Sequence, residues 1–282
     1  MQLATVSNGG ESFAAGVDPV RGVVRLSTLP EPMHGTVLDV LGSVSPAEFI
    51  DRIATAPAET FAPVETVTFL PPYRDPRKIW GIGLNYREHA DDLTAGYPDE
   101  PASFVKGEHT IIGPGAVIPL PPQSERVTAE AELGIVFGSE CRDVEIADAF
   151  TGVWGVCPIL DQTAEDILQR NPRFLTRSKN FPGFFSFGPG ITPLPEVLGA
   201  AGNLDDIEVS TVRNGSVHRS NVVRNMIFAP ELLISFHSKV FPWYPGDILS
   251  TGTPGAVVIQ DGDVAECRID KIGELTNPVR AR

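Results

Sequence analysis

Apolar and polar residues alternate with a period of two along many short stretches of the chain, and this period predicts β-strands. The N-terminal region contains two such stretches, QLATVS at 2–7 and GVVRLS at 22–27. Later stretches are KIWGIGLNY (78–86), ASFVKG (102–107), TAEAELGIVFG (128–138), VWGVCPIL (153–160) and GDVAECRIDKIGELTNPV (262–279). The continuous apolar run at 153–160 predicts a strand that is buried on both faces.

Fewer stretches have the spacing of a helix. SPAEFIDRIATA (45–56) begins with Ser45 as a cap and Pro46 in the first turn, and APELLISFHSKVF (229–241) is amphipathic. DQTAEDILQR (161–170) predicts the start of a helix, with Thr163 and Asp166 as a capping box. An Asn-Gly pair within VSTVRNGSVHRS (209–220) predicts a hairpin. Strands outnumber helices without a strict βαβ order, so we expect a β-rich α+β fold.

The chain divides by composition near residue 70. The first part contains short strands and a helix and concentrates no chemistry, whereas FLPPYRDPRK (69–78) is rich in proline and typical of a linker. We therefore expect a small β-rich N-terminal domain at residues 1–70 and a larger domain at 71–282.

Composition and charge narrow the class of protein. The 282 residues are 42% hydrophobic and 21% charged, as in soluble globular proteins, and the net charge of -14 argues against nucleic acid and anionic membranes as partners. The three cysteines indicate neither a disulfide framework nor a zinc site. No signal-peptide pattern and no apolar run long enough to span a membrane is present, so we expect a cytoplasmic protein.

Three carboxylates are candidates for a metal site. As strand neighbours of period two, Glu130 and Glu132 share one face, where either water screens them or a cation lies between them. Asp161 follows an apolar strand and could supply a third oxygen ligand or cap a helix. Oxygen ligands without a nearby histidine or cysteine suit Mg²⁺ or Mn²⁺.

Other residue pairs have both chemical and structural interpretations. His89 and Asp92 are three residues apart, as a general base and its orienting acid would be on a helix, or as an ordinary surface pair. Lys179 lies in an aromatic and glycine-rich stretch, where an ammonium could stabilise an enolate or remain solvated. STGTPG (250–255) could bind an anion or form a plain turn.

Taken in order along the chain, these motifs resemble the fumarylacetoacetate hydrolase superfamily over residues 75–280. The motifs are GLNYREHADD, EAELGIVFG, ILDQTAEDI, RSKNFPGFFSFGPG, STGTPGAV and IGELTNPV. The resemblance implies a mixed β-sandwich roll that assembles as a homodimer. It also implies that Glu130, Glu132 and Asp161 bind Mg²⁺, with Mn²⁺ or Ca²⁺ as alternatives.

The resemblance also implies roles for other residues. Lys179 is expected near the metal and the substrate enolate, and His89 with Asp92 on a lid that begins at Asn85. Tyr86, Thr251 and Thr253 are expected to contact the substrate. Two positions depart from the family pattern: Asp92 stands where glutamate is common, and Glu165 where a basic residue is common.

The expected function is a divalent-metal-dependent hydrolase that cleaves a C–C bond of a 2,4-diketo acid, an α-keto acid substrate of the acylpyruvate or fumarylacetoacetate type. Two catalytic alternatives use the same enolate chemistry. One is an isomerase or decarboxylase of 2-hydroxyhepta-2,4-diene-1,7-dioate-type compounds, and the other is a dehydratase of a 2-keto-3-deoxy sugar acid. An alternative of another class is a non-catalytic protein that binds a keto acid or a metal.

Overall fold

A computed structural model of the chain describes residues 1–87, 99–198 and 202–281, which form eighteen strands, five α-helices and eight short 3₁₀ helices. The helices are α1 (Val37–Ser43), α2 (Pro46–Thr55), α3 (Glu165–Arg170), α4 (Leu175–Lys179) and α5 (Pro230–Ser238). The strands are β1 (Gln2–Asn8), β2 (Glu11–Asp18), β3 (Gly22–Arg25), β4 (Thr68–Phe69), β5 (Ile79–Gly83), β6 (Ala102–Lys106), β7 (Ile111–Ile112), β8 (Ile118–Leu120), β9 (Val127–Phe137), β10 (Val153–Ala164), β11 (Phe185–Phe187), β12 (Thr192–Pro193), β13 (Glu208–Arg213), β14 (Ser216–Val222), β15 (Ile248–Ser250), β16 (Ala256–Ile259), β17 (Val264–Ile269) and β18 (Gly273–Ala281).

The N-terminal region forms a four-stranded sheet in the order β3-β2-β1-β4. Along the chain, α1 and α2 lie between β3 and β4. The predicted helix over 45–56 is confirmed as Pro46–Thr55, with Pro46 in the first turn and the Ser45 hydroxyl accepting from the Glu48 amide. A side-chain cap that satisfies an otherwise unpaired amide explains why the helix begins at this point.

The central sheet positions the candidate site. Its main order is β6-β5-β15-β9-β10-β11-β7, while β12 pairs with β10 and β16 pairs with β9. Every residue of β9 and of β10 is buried, which confirms the prediction of a strand at 153–160 that is covered on both faces.

A five-stranded sheet in the order β14-β13-β17-β18-β8 packs over β9 and β10. The predicted hairpin is confirmed: Asn214 and Gly215 connect β13 to β14 with φ of 52° and 77°. Both residues adopt left-handed conformations, which asparagine and glycine tolerate best. Together the three sheets confirm the β-rich α+β fold, with a small N-terminal sheet beside a larger curled mixed sheet.

The N-terminal region shares a hydrophobic core with the rest of the chain. Phe49 of α2 contacts Trp154 of β10 edge-to-face, with ring centroids 5.3 Å apart, and the Trp154 indole donates to the carbonyl of Val44 at 2.8 Å. Leu3 exchanges backbone hydrogen bonds with Ile191. The division at residue 70 therefore stays a prediction about the sequence, since one buried cluster crosses it.

None of the helices in the described ranges is long and apolar enough to cross a membrane.

Candidate active site

The antiparallel pairing of β9 with β10 brings the three predicted carboxylates together. Glu130 lies directly opposite Asp161 in the register, and Glu132 follows Glu130 by two residues on the same face. One carboxylate oxygen from each residue lies within 4.8 Å of the others. The exposed fractions are 8% for Glu130, 1% for Glu132 and 0% for Asp161, so solvation does not explain the pair of glutamates.

Three buried carboxylates need compensating positive charge, because burial of an unpaired charge is very costly. The Lys179 ammonium supplies part of it, 2.9 Å from Glu130 Oε2 and 2.7 Å from Asp161 Oδ2. Lys106, at the end of β6, forms a second ion pair with Asp161 and donates to the carbonyls of Gln162 and Phe184. Two lysines therefore face three carboxyl groups in this cluster.

Hydroxyl and amide donors orient the two glutamates. Glu130 Oε1 accepts from the Thr163 hydroxyl at 2.5 Å and the Thr128 hydroxyl at 3.2 Å. Glu132 Oε2 accepts from the Ser250 hydroxyl at 2.5 Å and the Gly252 amide at 2.9 Å. Donors that hold a carboxylate in place also pre-orient it as a metal ligand.

The protonation of the cluster reflects its burial. Burial raises the pKa of Glu132 to about 8, and the neighbouring carboxylates of Asp161 and Glu130 add to this effect. Burial lowers the pKa of Lys106 to about 8, despite its ion pair with Asp161. Burial opposes the charge of Lys179 as well, but the surrounding carboxylates outweigh it and raise the pKa of that lysine. Lys179 therefore remains a cation.

The donor set fits a hard divalent cation. Carboxylate oxygens are the ligands that Mg²⁺, Mn²⁺ and Ca²⁺ prefer, and among the described residues neither histidine nor cysteine belongs to the cluster. Glu130, Glu132 and Asp161 are the residues that would hold the ion.

A cavity of about 450 Å³ opens onto the cluster. Its polar wall near the cluster contains Thr128, Glu130, Glu132, Thr163, Lys179 and Thr253. Its apolar wall contains Ile82, Leu84, Phe104, Leu168, Pro172 and Leu175. A concave, largely apolar space with a few converging polar groups is the usual form of a small-molecule site.

The STGTPG loop lies where the partners of β9 change. β15 pairs with residues 134–136 of β9 and β16 with residues 127–130, so the loop faces Glu132. Thr253 lines the cavity, whereas the Thr251 hydroxyl donates to the Leu133 carbonyl at 2.8 Å and does not line it. Of the two threonines, Thr253 is therefore the one that faces the cavity.

The predicted lid begins beside the cavity. Leu84 lines it, and the Asn85 side chain holds this point of the chain by bonding the carbonyls of Phe228 and Thr251. Tyr86 is fully buried next to Met226 and is not among the residues that line the cavity; burial raises the pKa of its hydroxyl above the usual range.

Two predicted catalytic residues, His89 and Asp92, lie outside the described residues.

The predicted capping box at Thr163 and Asp166 is wrong. β10 continues to Ala164, and α3 begins at Glu165 without a side-chain cap. The Thr163 hydroxyl donates to Glu130, while Asp166 accepts from Ser124. A carboxylate across the sheet thus competes successfully for the hydroxyl that the local sequence assigns to a helix cap.

Sequence reasoning missed Lys106 and Arg126. Lys106 follows Phe104 by two residues in β6 and shares its buried row, but a lysine is ordinarily solvated, so this spacing alone does not predict burial. Arg126 bonds Glu165, with Nε 2.5 Å from Oε2, and the Glu165 amide donates to the Arg126 carbonyl. Nothing local in the sequence indicates the Arg126–Glu165 pair, because the two residues are 39 positions apart.

Comparison with known proteins identifies a matching family model and related sequences. The family model described as fumarylacetoacetate (FAA) hydrolase C-terminal matches residues 78–280. A mitochondrial oxaloacetate tautomerase of Rattus norvegicus is 31% identical over 92% of this chain and 84% of its own.

Two solved structures extend the comparison. A fumarylacetoacetate hydrolase from Exiguobacterium antarcticum superposes with a TM-score of 0.84 at 26% identity and covers 100% of both chains. A 2-hydroxyhepta-2,4-diene-1,7-dioate isomerase from Mycobacterium marinum gives a TM-score of 0.74 at 27% identity, over 100% of this chain and 99% of its own.

Proposed function

Since the chain belongs to the fumarylacetoacetate hydrolase family, we propose that it is a metal-dependent tautomerase or isomerase that transfers a proton next to the keto group of a 2-keto carboxylate. The observation that carries the proposal is the buried cluster of Glu130, Glu132 and Asp161, with Lys179 beside it at one end of a cavity. The names of a tautomerase and an isomerase among the relatives favour proton transfer over hydrolysis.

The residues divide the chemistry among them. Glu130, Glu132 and Asp161 would hold a divalent cation, which when bound supplies Lewis-acid polarisation of the keto and carboxylate oxygens. Lys179 places a fixed positive charge next to the oxygen on which negative charge develops as the proton leaves carbon. Because its pKa is raised, Lys179 acts as a cation and not as the base.

The base in this proposal is His89, oriented by Asp92, as the sequence motif indicates. The motif that contains His89 also contains Leu84 and Asn85, and Leu84 lines the cavity. Thr253, also on the cavity wall, is proposed to hold the substrate carboxylate. Mg²⁺ is the proposed ion, with Mn²⁺ and Ca²⁺ as alternatives.

The test follows the ultraviolet absorbance of enol-oxaloacetate and enol-phenylpyruvate as each converts to the keto form. We expect acceleration with Mg²⁺ and none with a chelator. Glu132→Gln should lower the rate by about 100-fold or more and abolish stabilisation by Mg²⁺ in a thermal melt. Glu140→Gln, the same change on an exposed residue, should leave both measurements unchanged.

Hydrolysis of a 2,4-diketo acid is the second candidate, favoured by the close structural likeness to a hydrolase. Hydrolysis differs from tautomerisation because it needs an activated water molecule that attacks the distal carbonyl of the substrate. Metal-dependent loss of the diketo absorbance of acetylpyruvate, without acceleration of either enol, would reject the tautomerase and support the hydrolase. Decarboxylation and dehydration are assayed in parallel by release of CO₂ and by loss of a 2-keto-3-deoxy sugar acid.

We propose a homodimer on the family resemblance, and the cytoplasmic location expected from the sequence stays a proposal. Light scattering on the purified full chain tests the first, and fractionation of the source cells tests the second.

A further inference from the structure

The face of the β9–β10 pair that carries the carboxylates continues beyond them as a ladder of facing residues. Glu130 faces Asp161, and Thr128 faces Thr163. Arg126 faces Glu165 through the backbone bond from the Glu165 amide. Rungs two residues apart are about 6.6 Å apart, so Glu165 lies about 13 Å along the strand from Asp161.

Glu165 faces the cavity, whereas its partner lies on the solvent side. Glu165 is among the residues that line the space, and the half-exposed Arg126 is not. Gln169 also lines it and donates to Glu165 Oε1 at 3.0 Å, so two partners hold the carboxylate in place. A substrate chain that extends away from the metal cluster therefore approaches a fixed negative charge.

The cavity-lining residues between Glu165 and Lys179 in the chain are apolar apart from Gln169. They are Leu168, Pro172 and Leu175. Among the described lining residues Lys179 is the only cation, and it is already paired with the metal-site carboxylates.

The two nearby arginines in and before α4 add no positive charge to the cavity wall. Arg173 and Arg177 line a separate surface groove, while Leu175 and Lys179 face the cavity. A second carboxylate on the substrate would thus meet Glu165 with no counter-ion from the described wall.

We propose that, among 2-keto carboxylates whose chain is long enough to approach Glu165, the site selects those whose far end is uncharged and apolar, and that Glu165 is the residue that excludes a second carboxylate there. The inference rests on the proposed function, because it assumes that the keto-acid end lies at the metal cluster. It goes further by assigning the substrate class and the residue that sets it.

The experiment measures binding, so that it does not depend on turnover. Calorimetry with Mg²⁺ compares 2-oxohexanoate with 2-oxoadipate, which share a six-carbon chain and differ in a terminal methyl or carboxylate. We expect 2-oxohexanoate to bind about tenfold more tightly, as one unfavourable charge contact predicts. Glu165→Gln should remove most of this preference.

Two further variants sharpen the test. Arg126→Gln removes the counter-ion of Glu165 and should widen the preference for 2-oxohexanoate. Glu125→Gln makes the same charge change on an exposed neighbour and should leave the ratio as in the unmodified protein. If Glu165→Gln narrows the preference for 2-oxohexanoate and Arg126→Gln widens it, these opposite changes in the affinity ratio cannot come from a general loss of folding.

Oxalate separates failure of this inference from failure of the proposed function. If oxalate binds with Mg²⁺ but 2-oxoadipate binds as tightly as 2-oxohexanoate, or neither binds, the selectivity is overturned and the metal site stands. A ratio unchanged by Glu165→Gln also overturns it. If oxalate itself shows no metal-dependent binding, both the proposed function and this inference fail.

Discussion

At the scale of single residues, two buried lysines allow three carboxylates to lie within a few ångströms of one another. Lys179 contacts both Glu130 and Asp161, while Lys106 forms an ion pair with Asp161 alone of the three carboxylates. Lys106 does not line the cavity, which makes its role one of charge balance and positioning.

Replacement of Lys106 by methionine should therefore destabilise the metal-free protein. Loss of one partner of a buried ion pair lowers the free energy of unfolding by about 3–5 kcal/mol. Mg²⁺ should raise the melting temperature of this variant more than that of the unmodified protein, because the ion replaces the missing charge. Urea unfolding with and without Mg²⁺ measures both effects.

Lys239→Met is the control, since Lys239 is an exposed lysine in a surface ion pair. Equal stability of Lys106→Met and Lys239→Met would contradict the role assigned to Lys106.

His237 gives a pH dependence away from the site. It is buried on α5, its Nδ1 lies 2.8 Å from the Leu233 carbonyl, and burial lowers its pKa below the ordinary value of 6.5. As pH falls through 6.5, the unfolded chain binds a proton that the folded chain does not, so stability decreases. We expect His237→Gln to lose less stability than the unmodified protein between pH 7.5 and pH 5.5.

The control for this comparison is His218→Gln on exposed β14. It should follow the unmodified protein across the same pH range, and identical slopes for all three proteins would contradict the assignment to His237. Urea unfolding at each pH supplies the free energies.

The carboxylates were predictable from sequence, and their lysine partner Lys106 was not. Glu130 and Glu132 share a face because strand geometry fixes it, and Asp161 follows a recognisable buried strand. A lysine such as Lys106 is ordinarily solvated, and only the tertiary packing of β6 beside the site places it inside.

At the scale of elements, the loop between β15 and β16 connects the sheet to the site. Gly252 has φ of +99°, and a Cβ there would lie 2.7 Å from the Asn85 Cβ. Its amide also donates to Glu132. One residue thus joins the loop, the start of the predicted lid and a metal-site carboxylate.

Gly252→Ala should be strongly harmful for two separate reasons, backbone strain and close approach. We expect a loss of about 2–4 kcal/mol in unfolding free energy, together with weaker stabilisation by Mg²⁺. Gly262→Ala isolates the first reason, because Gly262 has φ of +90° with open space around it.

Chemical unfolding of both variants, repeated with Mg²⁺, gives the comparison. If Gly262→Ala cost as much as Gly252→Ala, or if both responded equally to Mg²⁺, the contact with Asn85 would have no special role.

The incorrectly predicted capping box at Thr163 and Asp166 shows that local sequence does not reveal partners that are distant along the chain. Thr163 has the right spacing to Asp166, but the hydroxyl lies on the same face as Glu130, and the strand continues through it. Helix and hairpin signals that depend on adjacent residues, such as Ser45 or Asn214-Gly215, were reliable. Signals that compete with a partner far along the chain were not.

At the scale of the whole molecule, the N-terminal region and the larger part bury surface against each other. Phe49 has no exposed surface and packs on Trp154, and Leu3 pairs with Ile191. The proline-rich segment 69–78 marked a change in composition, but composition does not tell whether two regions share a core.

Phe49→Ala in the full chain should lower the free energy of unfolding by about 3–5 kcal/mol and still give a single transition. A chain of residues 71–282 alone should lack a cooperative transition, because the partners of Trp154 are removed. Val20→Ala, at a residue that is 90% exposed, should have little effect. Thermal melts followed by near-ultraviolet circular dichroism measure all three.

A cooperative melt of residues 71–282 near that of the full chain would instead establish the predicted boundary as that of an independent domain.

The ladder on β9 and β10 has a consequence for how such a gene can diverge. A codon inserted or deleted within β9 or β10 would turn the residues on one side of the change to the opposite face, and could thereby separate Glu130 and Glu132, or Asp161, from the rest of the cluster. Codons beyond Glu165 carry no such penalty, because Glu165 is the last rung and the remainder of α3 follows it. Lineages can therefore alter the far wall of the cavity freely while the ion-binding rungs are inherited as one block.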